Sequence, residues 1–326
     1  MVALGLDIGG TKLAAGVVRG DGSVLSRARI ASQAADGPDR MIERLLALGR
    51  AVVADAGMTV EDMTGIGIAC GGPLDAERGV ILSPPNLPGW DEVPLADKVV
   101  DGLGRPAAVE NDATAGALAE WWFGAGRTSG ATDLVYLTIS TGVGGGLVLD
   151  GRLYRGATGN AGELGHLTVD YLGRECRCGR RGCLEAYASG TNIAARAREA
   201  ISSGESSALT AIDGFTAKDV EEAAADGDAL ARRIWDETTA ILGSAIANII
   251  DVFDPTIVVL GGGVTRAGER LLEPVRETAL ELAYGPAAEH ASVVLAELGE
   301  QHDVVSAAVV AFDRLASGVD ARWATA

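Results

Sequence analysis

The side chains best suited to chemistry lie between Asn160 and Glu185, in the stretch NAGELGHLTVDYLGRECRCGRRGCLE. Three of the four cysteines, Cys176, Cys178 and Cys183, stand here with His166 shortly upstream. Three thiolates and one imidazole make a tetrahedral set that suits zinc, and four protein ligands leave no open position, so the ion is expected to be structural. Gly179 and Gly182 allow tight turns around it, and Arg177, Arg180 and Arg181 offset the thiolate charge. The C-x-C-x4-C spacing is shorter than that of common finger motifs, and reduced cysteines in a glycine-rich turn are the alternative. A disulfide fits less well, because no leader segment is recognisable ahead of the first strand. A metal knot would hold Glu163 and Glu185, which flank its ligands, in fixed relation.

Asn111-Asp112 is the second candidate. A hydroxyl acceptor in phosphoryl transfer needs a carboxylate to orient it and take its proton. Asp112 follows a strand end and precedes a helix of small residues, ATAGALAEWW. At a helix start the dipole is expected to keep it ionised. The ordinary reading of the same pair is an N-cap. Three apolar strands also run into glycine turns: DIGGTK with Asp7, Gly9, Gly10, Thr11 and Lys12; STGVGGG with Thr141, Gly142 and Gly144; and LGGGV with Gly261, Gly262 and Gly263. Glycine beyond a strand end lets backbone N–H groups close on an anion. None is a Walker A loop, and close packing is the alternative for each alone. Together, with Asp7 and Lys12 framing the first, they point to a nucleotide phosphate site. Lys12 is placed to touch a transferred phosphoryl group and Asp7 to hold magnesium through water.

The elements that must position these residues read as an α/β pattern. Strand, glycine turn, strand, Asp-Gly hairpin and strand occur twice, at Val2–Ile30 and Leu134–Tyr154. A repeat of this size implies a duplicated domain with a phosphate-binding turn in each copy, although meanders with glycine turns recur in unrelated folds. Helices are expected from Pro38, over Leu95–Leu103, from Asn111-Asp112 to about Phe123, and over Asp228–Val252. SPPNLPGW, Ser83 to Trp90, reads as an ordered surface loop. A closing helix returns to cover the first domain. The expected division is 1–112, completed by 302–326, and 113–301.

At 326 residues, two domains are the reasonable expectation. A net charge of -18 and a sequence pI of about 4.6 argue against nucleic acid as a partner. Aromatic content of 4% is thin for base stacking. No apolar run approaches the roughly 20 residues that span a bilayer. A cytoplasmic location is expected.

DIGGTK, VENDATAGA, STGVGGG, GELGH and CRCGRRGCLE together resemble the ROK family of repressors, open-reading-frame proteins and sugar kinases, and within it the ATP-dependent bacterial glucokinases. The resemblance covers nearly the whole chain. It implies an actin-like, ribonuclease H-like duplicated α/β fold with magnesium ATP in an interdomain cleft, and a homo-oligomer, dimer or tetramer. By motif, Asp112 matches the catalytic base, Asn111 a sugar-hydroxyl ligand joined by Glu163, His166 and Glu185, and Gly72 a substrate-side glycine turn. His166 then offers one ring nitrogen to zinc and its other side to the sugar. Glucose, phosphorylated at its 6-hydroxyl, is the implied substrate. The alternatives are another hexose or N-acetylhexosamine (fructose, allose, N-acetylmannosamine, N-acetylglucosamine), or a sugar-responsive regulator lacking its DNA-binding domain. The family's repressors carry a helix-turn-helix before the DIGGTK strand, which here begins almost at Met1. Two stretches depart from the family pattern: Cys70-Gly71-Gly72-Pro73, and Gln301–Ala308, an edge that lies by the nucleotide in the family.

Overall fold

The computed structural model describes residues 1–316. Apolar runs broken by a glycine turn and an Asp-Gly hairpin give β1 (Val2–Ile8), β2 (Lys12–Arg19) and β3 (Val24–Ala31), followed by α1 (Pro38–Asp55). Pro38 occupies the first helical turn, where its missing N–H is not needed. β4 (Gly65–Cys70) is buried along its whole length. Three two-residue strands, β5 (Leu74–Asp75), β6 (Val80–Ile81) and β7 (Val93–Pro94), then form a small antiparallel sheet. Between the last two, SPPNLPGW is an ordered loop, but it is not confined to the surface. Leu87 and Trp90 are buried, and the Ser83 N–H donates to the Trp90 carbonyl at 2.7 Å. There follow α2 (Leu95–Leu103), β8 (Ala107–Asn111), α3 (Asp112–Phe123) and α4 (Ala125–Ser129).

The pattern then restarts with β9 (Leu134–Ile139), β10 (Val143–Leu149) and β11 (Arg152–Leu153). After the cysteine loop come α5 (Glu185–Ala188), α6 (Gly190–Ser202), α7 (Ala217–Ala225), α8 (Ala229–Phe253) and β12 (Ile257–Gly261). The chain closes through α9 (Glu269–Leu282), α10 (Pro286–His290), β13 (Ser292–Leu295) and α11 (His302–Leu315). The rest of the expected closing helix, 317–326, lies outside the described residues. No helix among the described residues is long and apolar enough to cross a membrane.

The two large sheets run β3-β2-β1-β4-β8 and β11-β10-β9-β12-β13. Counted within each set, both follow the order 3-2-1-4-5. In the first, β1, β4 and β8 are parallel while β2 and β3 are antiparallel. In the second, β12 is parallel to β9 and β13, and β10 is antiparallel to β11. The repeat is therefore a duplicated α/β fold of the actin-like, ribonuclease H-like kind. Residue contacts group the chain into two compact units. The first comprises Met1–Thr132, Gly146–Gly162 and the described residues from Glu297; the second comprises Asp133–Gly145 and Glu163–Ala296. Helix α3, which opens the second expected domain, groups with the first unit because its small residues lie against α11.

The first sheet presents unlike faces to its two helical layers. Leu4, Leu6, Ile66 and Ile68 share one core with Met41, Leu45 and Val52 of α1. On the other face Ala69, Ala108 and Ala115 pack with Ala307 and Val310, bringing α11 close to the sheet. A Cβ on Gly67 would collide with the Ala307 carbonyl, and one on Gly5 would meet Val304 and Ala308 of the same helix. Glu120 is fully buried, and its carboxylate accepts N–H bonds from Ala125, Glu297 and Leu298 at 3.0–3.1 Å. Gly67→Ala should lower stability by about 1–3 kcal/mol, as overpacking does. Gly71→Ala, whose added methyl meets nothing within 4 Å, should fold with near-parent stability. Chemical denaturation of both variants checks the contrast.

Candidate active site

In the first unit the three parallel strands end at one level, with Ile8 opposite Cys70 and Cys70 opposite Asn111. Asp7, the Cys70-Gly71-Gly72 turn and Asn111-Asp112 therefore share one edge of the sheet. Gly9, Gly10 and Thr11 form the turn between β1 and β2. The Gly9 N–H donates to the Lys12 carbonyl at 2.9 Å, and Lys12 is exposed. Gly10 lies so close to the Asn86 carbonyl that a Cβ would come within 2.9 Å. Burial first, and then Asp303 and Asp112, push the Asp7 carboxyl well above its ordinary value, with Arg29 opposing. Arg29 is itself bonded to Asp303 at 2.6 Å. The Cys70 thiol is raised well above its usual value by burial, then by Asp112 and Asp7. Cys70 is a neutral core residue.

Helix α3 starts at this edge, and its cap is Asn111 rather than Asp112. The Asn111 Oδ1 accepts from the N–H groups of Ala113 at 3.0 Å and Thr114 at 3.1 Å. Its Nδ2 faces Gly72, where a Cβ would come within 3.3 Å. Asp112 takes the first helical position, and its Oδ1 accepts the Ala113 N–H at 2.8 Å. Among the described residues no other residue donates a hydrogen bond to this carboxylate. Solvent reaches Asp112, yet the protein packed around it raises its carboxyl above the ordinary value, outweighing the bonds from Ala113 and its own N–H. Desolvation thus outweighs the support that a helix start gives the ionised form.

In the second unit the STGVGGG turn packs against the N-terminus of α6. The Gly190 N–H donates to the Ser140 carbonyl at 2.7 Å, and the Thr191 hydroxyl to the Thr141 carbonyl at 2.8 Å. Ser140, Thr141, Gly190, Thr191, Gly263 and Val264 line one end of a cavity of about 610 Å³. The other end is walled by Arg198, Phe215, Lys218, Glu221, Trp235 and Arg270. The Arg198 guanidinium stacks 4.8 Å from the centre of the Phe215 ring, and Arg270 pairs with the buried Glu221. No motif marks these wall residues; they come from helix faces that only packing assembles. Of the glycines singled out in this unit, Gly263 lines the cavity. Gly262 turns with φ +94 beside Ile139, Gly261 lies against Tyr136, and Gly144 sits within β10. Gln301–Ala308 belongs to the first unit, and none of it lines this cavity.

The cysteine loop closes as its residue types require. The ligand atoms of His166, Cys176, Cys178 and Cys183 all lie within 4.8 Å of one another. Cys178 Sγ is 3.6 Å from Cys183 Sγ, and Cys176 Sγ is 3.9 Å from His166 Nδ1. A zinc tetrahedron with arms of about 2.0–2.3 Å has edges of roughly 3.5–3.8 Å, so the set fits that ion. Gly182, with φ +73, turns the chain beneath the Asp170 carbonyl. Burial opposes ionisation of Cys178, but hydrogen bonds from Arg180 and the two other thiols bring it down to about 6. His166 turns Nε2 toward Glu163 Oε2 at 3.9 Å. Glu185 bridges the loop to the glycine turn: Oε1 lies 4.0 Å from Cys176 Sγ, and Oε2 accepts the Val143 N–H at 3.0 Å. Glu163, His166, Glu185 and the cysteines are thus one cluster.

The model of the ROK family matches residues 3–314. The chain is 37% identical over 316 residues to a glucokinase of Thermotoga maritima, covering 96% of this chain and 98% of that one. It is 36% identical over 311 residues to an N-acetylmannosamine kinase of Escherichia fergusonii, with 95% and 98% covered. A ROK family glucokinase from Streptomyces griseus, solved in complex with glucose and AMPPNP, superposes with a TM-score of 0.81 at 36% identity, covering 96% of this chain and all of that one, 100%. A ROK family transcriptional regulator, described as a homolog of the E. coli MLC protein, reaches a TM-score of 0.82 at 29% identity, with 96% and 78% covered. A family match from end to end of the described chain, on a fold with the same doubled sheet order, leaves one assignment: the chain belongs to the ROK family.

Proposed function

We propose that the protein transfers the γ-phosphoryl group of ATP to the 6-hydroxyl of glucose. The observation that carries this reading is the division of labour at the start of α3. Asn111 caps the helix, and Asp112 keeps one carboxylate oxygen clear at the strand-end edge. Likeness to glucokinases, one of them solved with glucose and AMPPNP, supports the choice of sugar and donor.

Asp112 accepts the hydroxyl proton while the sugar oxygen bonds to the γ-phosphorus. The bond from that phosphorus to the β–γ bridging oxygen breaks, and ADP leaves with the electron pair. Asn111 orients the acceptor hydroxyl through Nδ2, and Glu163, His166 and Glu185 bind other hydroxyls. Lys12 neutralises charge on the transferred group. The cavity beside Thr141 and Gly263 takes the nucleoside, with Phe215 and Arg198 offering flat faces to the base. Asp7 would hold the nucleotide's magnesium through water, since a cation relieves the repulsion it suffers from Asp303 and Asp112. His166, Cys176, Cys178 and Cys183 would hold a structural zinc, which ties the loop bearing Glu163 to Glu185.

Substrate competition, DNA binding, metal content and two substitutions test the reading. Competing hexoses compared by kcat/KM should favour glucose, and a better non-glucose substrate sinks that choice. Salt-dependent binding to duplex DNA with no turnover on the panel would move the protein to the regulators. Protein purified without added zinc should carry about one equivalent per chain. Chelation should then loosen Glu163 and Glu185 and lower activity; metal-free, folded, active protein contradicts the site. Asp112→Asn should leave the cap intact and reduce kcat by about two to four orders of magnitude with sugar affinity near normal. The raised carboxyl makes the folded state bind more protons than the unfolded one above the ordinary value of 3.8, so the charge opposes folding at neutral pH. The Asn variant should therefore melt no lower than the parent. Asn111→Ala should lose about 1 kcal/mol of stability with its cap, and sugar affinity as well.

A further inference from the structure

One charged group in the first unit is unused by this reading. Glu110, the residue before Asn111, is fully buried. Its strand β8 lies at the edge of the sheet, and its Oε1 accepts the main-chain N–H of Asn111 at 3.1 Å. Its Oε2 takes the Nε–H of Arg155 at 2.7 Å, while the Arg155 NH2 group reaches Asp313 of α11, also at 2.7 Å. A carboxylate with no access to water requires such a partner, and a planar guanidinium can serve two acids only in fixed geometry. Arg155 also anchors its own segment. Its carbonyl accepts the Ala161 N–H at 3.1 Å, closing a loop in which Gly156 and Gly159 take left-handed φ of +69 and +77. Glu163 follows two residues after the closing bond.

We propose that Glu110 and Arg155 are positioning residues for the sugar. Their ion pair fixes in one rigid piece the Asn111-Asp112 corner and the loop closed between Arg155 and Ala161, all within the first unit. Neither touches the substrate: Glu110 acts through the Asn111 main chain, and Arg155 through Glu110 and the loop closure. The inference rests on the kinase reading for its kinetic consequence, but its structural content stands apart.

The test uses the full chain with Arg155→Gln, Arg155→Lys and Glu110→Gln, and with Val52→Ala as a control for general loss of stability. Val52 is a buried residue of α1 outside the site. In folded variants the sugar KM should rise about tenfold or more for Arg155→Gln and Glu110→Gln, with the ATP KM within about twofold of the parent. Arg155→Lys retains one of the two bonds and should fall between; it is also the variant to measure if the Gln form does not fold. Combining Glu110→Gln with Arg155→Gln should add little to the worse single change. Hydrogen exchange gives a readout independent of turnover: amides at 111–114 and 156–161 should exchange faster in the Arg155 variants and not in Val52→Ala. A sugar KM unchanged in folded Arg155 variants, or raised equally by Val52→Ala, overturns the proposal. If the parent protein turns over no hexose, the kinase reading has failed, and exchange alone decides. Faster exchange at both segments then upholds the pairing, and unchanged exchange defeats it.

Discussion

The first unit depends on the register that brings β1, β4 and β8 to a stop at the same level. Ile8, Cys70 and Asn111 are cross-strand neighbours, so three sequence-distant strand ends become one edge. Register in a sheet buried on both faces is strongly specified, because a one-residue slip would exchange the two faces. Here a slip would drive Leu6 and Ile68 into the space that Gly5 and Gly67 leave for α11. The small-residue face is therefore more than a packing detail: it keeps Asp7 and Asp112 within electrostatic reach of each other.

That proximity has a cost in ionisation. Both carboxyls are raised: burial raises each, and Asp303 and Asp112 raise that of Asp7 further. Arg29, paired with Asp303 at the start of α11, opposes part of this. Removing a charged group from such a setting usually favours the fold, which is how functional sites come to oppose stability. The second unit distributes its chemistry differently. Glu185 reaches both the glycine turn and the cysteine cluster, so the STGVGGG turn and the cysteine loop are mechanically one assembly.

Much of this was legible in the sequence because its signals are local. Glycine after an apolar strand, Asp-Gly hairpins and the His-Cys set each follow from a few adjacent residues, and the structure brings His166, Cys176, Cys178 and Cys183 together. The strand pattern of the duplication could likewise be read from order alone. What could not be read depends on packing. Residues 74–94 form strands of two residues, too short for alternation to show, and a buried Trp90 closes a loop that composition marks as surface. The cap at α3 is decided by backbone angles at Asn111, which Asn-Asp leaves open. The cavity wall joins Arg198, Phe215 and Arg270 across some seventy positions, and none belongs to a motif. The helix start at Asp112 could be read, but not the burial that raises its carboxyl, because crowding is invisible in a linear sequence.

The central claim is that Asp112 acts as the base in its ionised form. It is tested most directly by the pH dependence of kcat in the parent and in Asp112→Asn, with glucose saturating. A base must be deprotonated, and its raised carboxyl moves the acid limb upward. The parent should lose rate as pH falls, with an apparent pKa above 3.8. In the Asn variant that limb should vanish, leaving a low and flat rate over the same range. A variant that keeps both the limb and a rate within about threefold of the parent would contradict the account, since positioned base catalysis is worth far more.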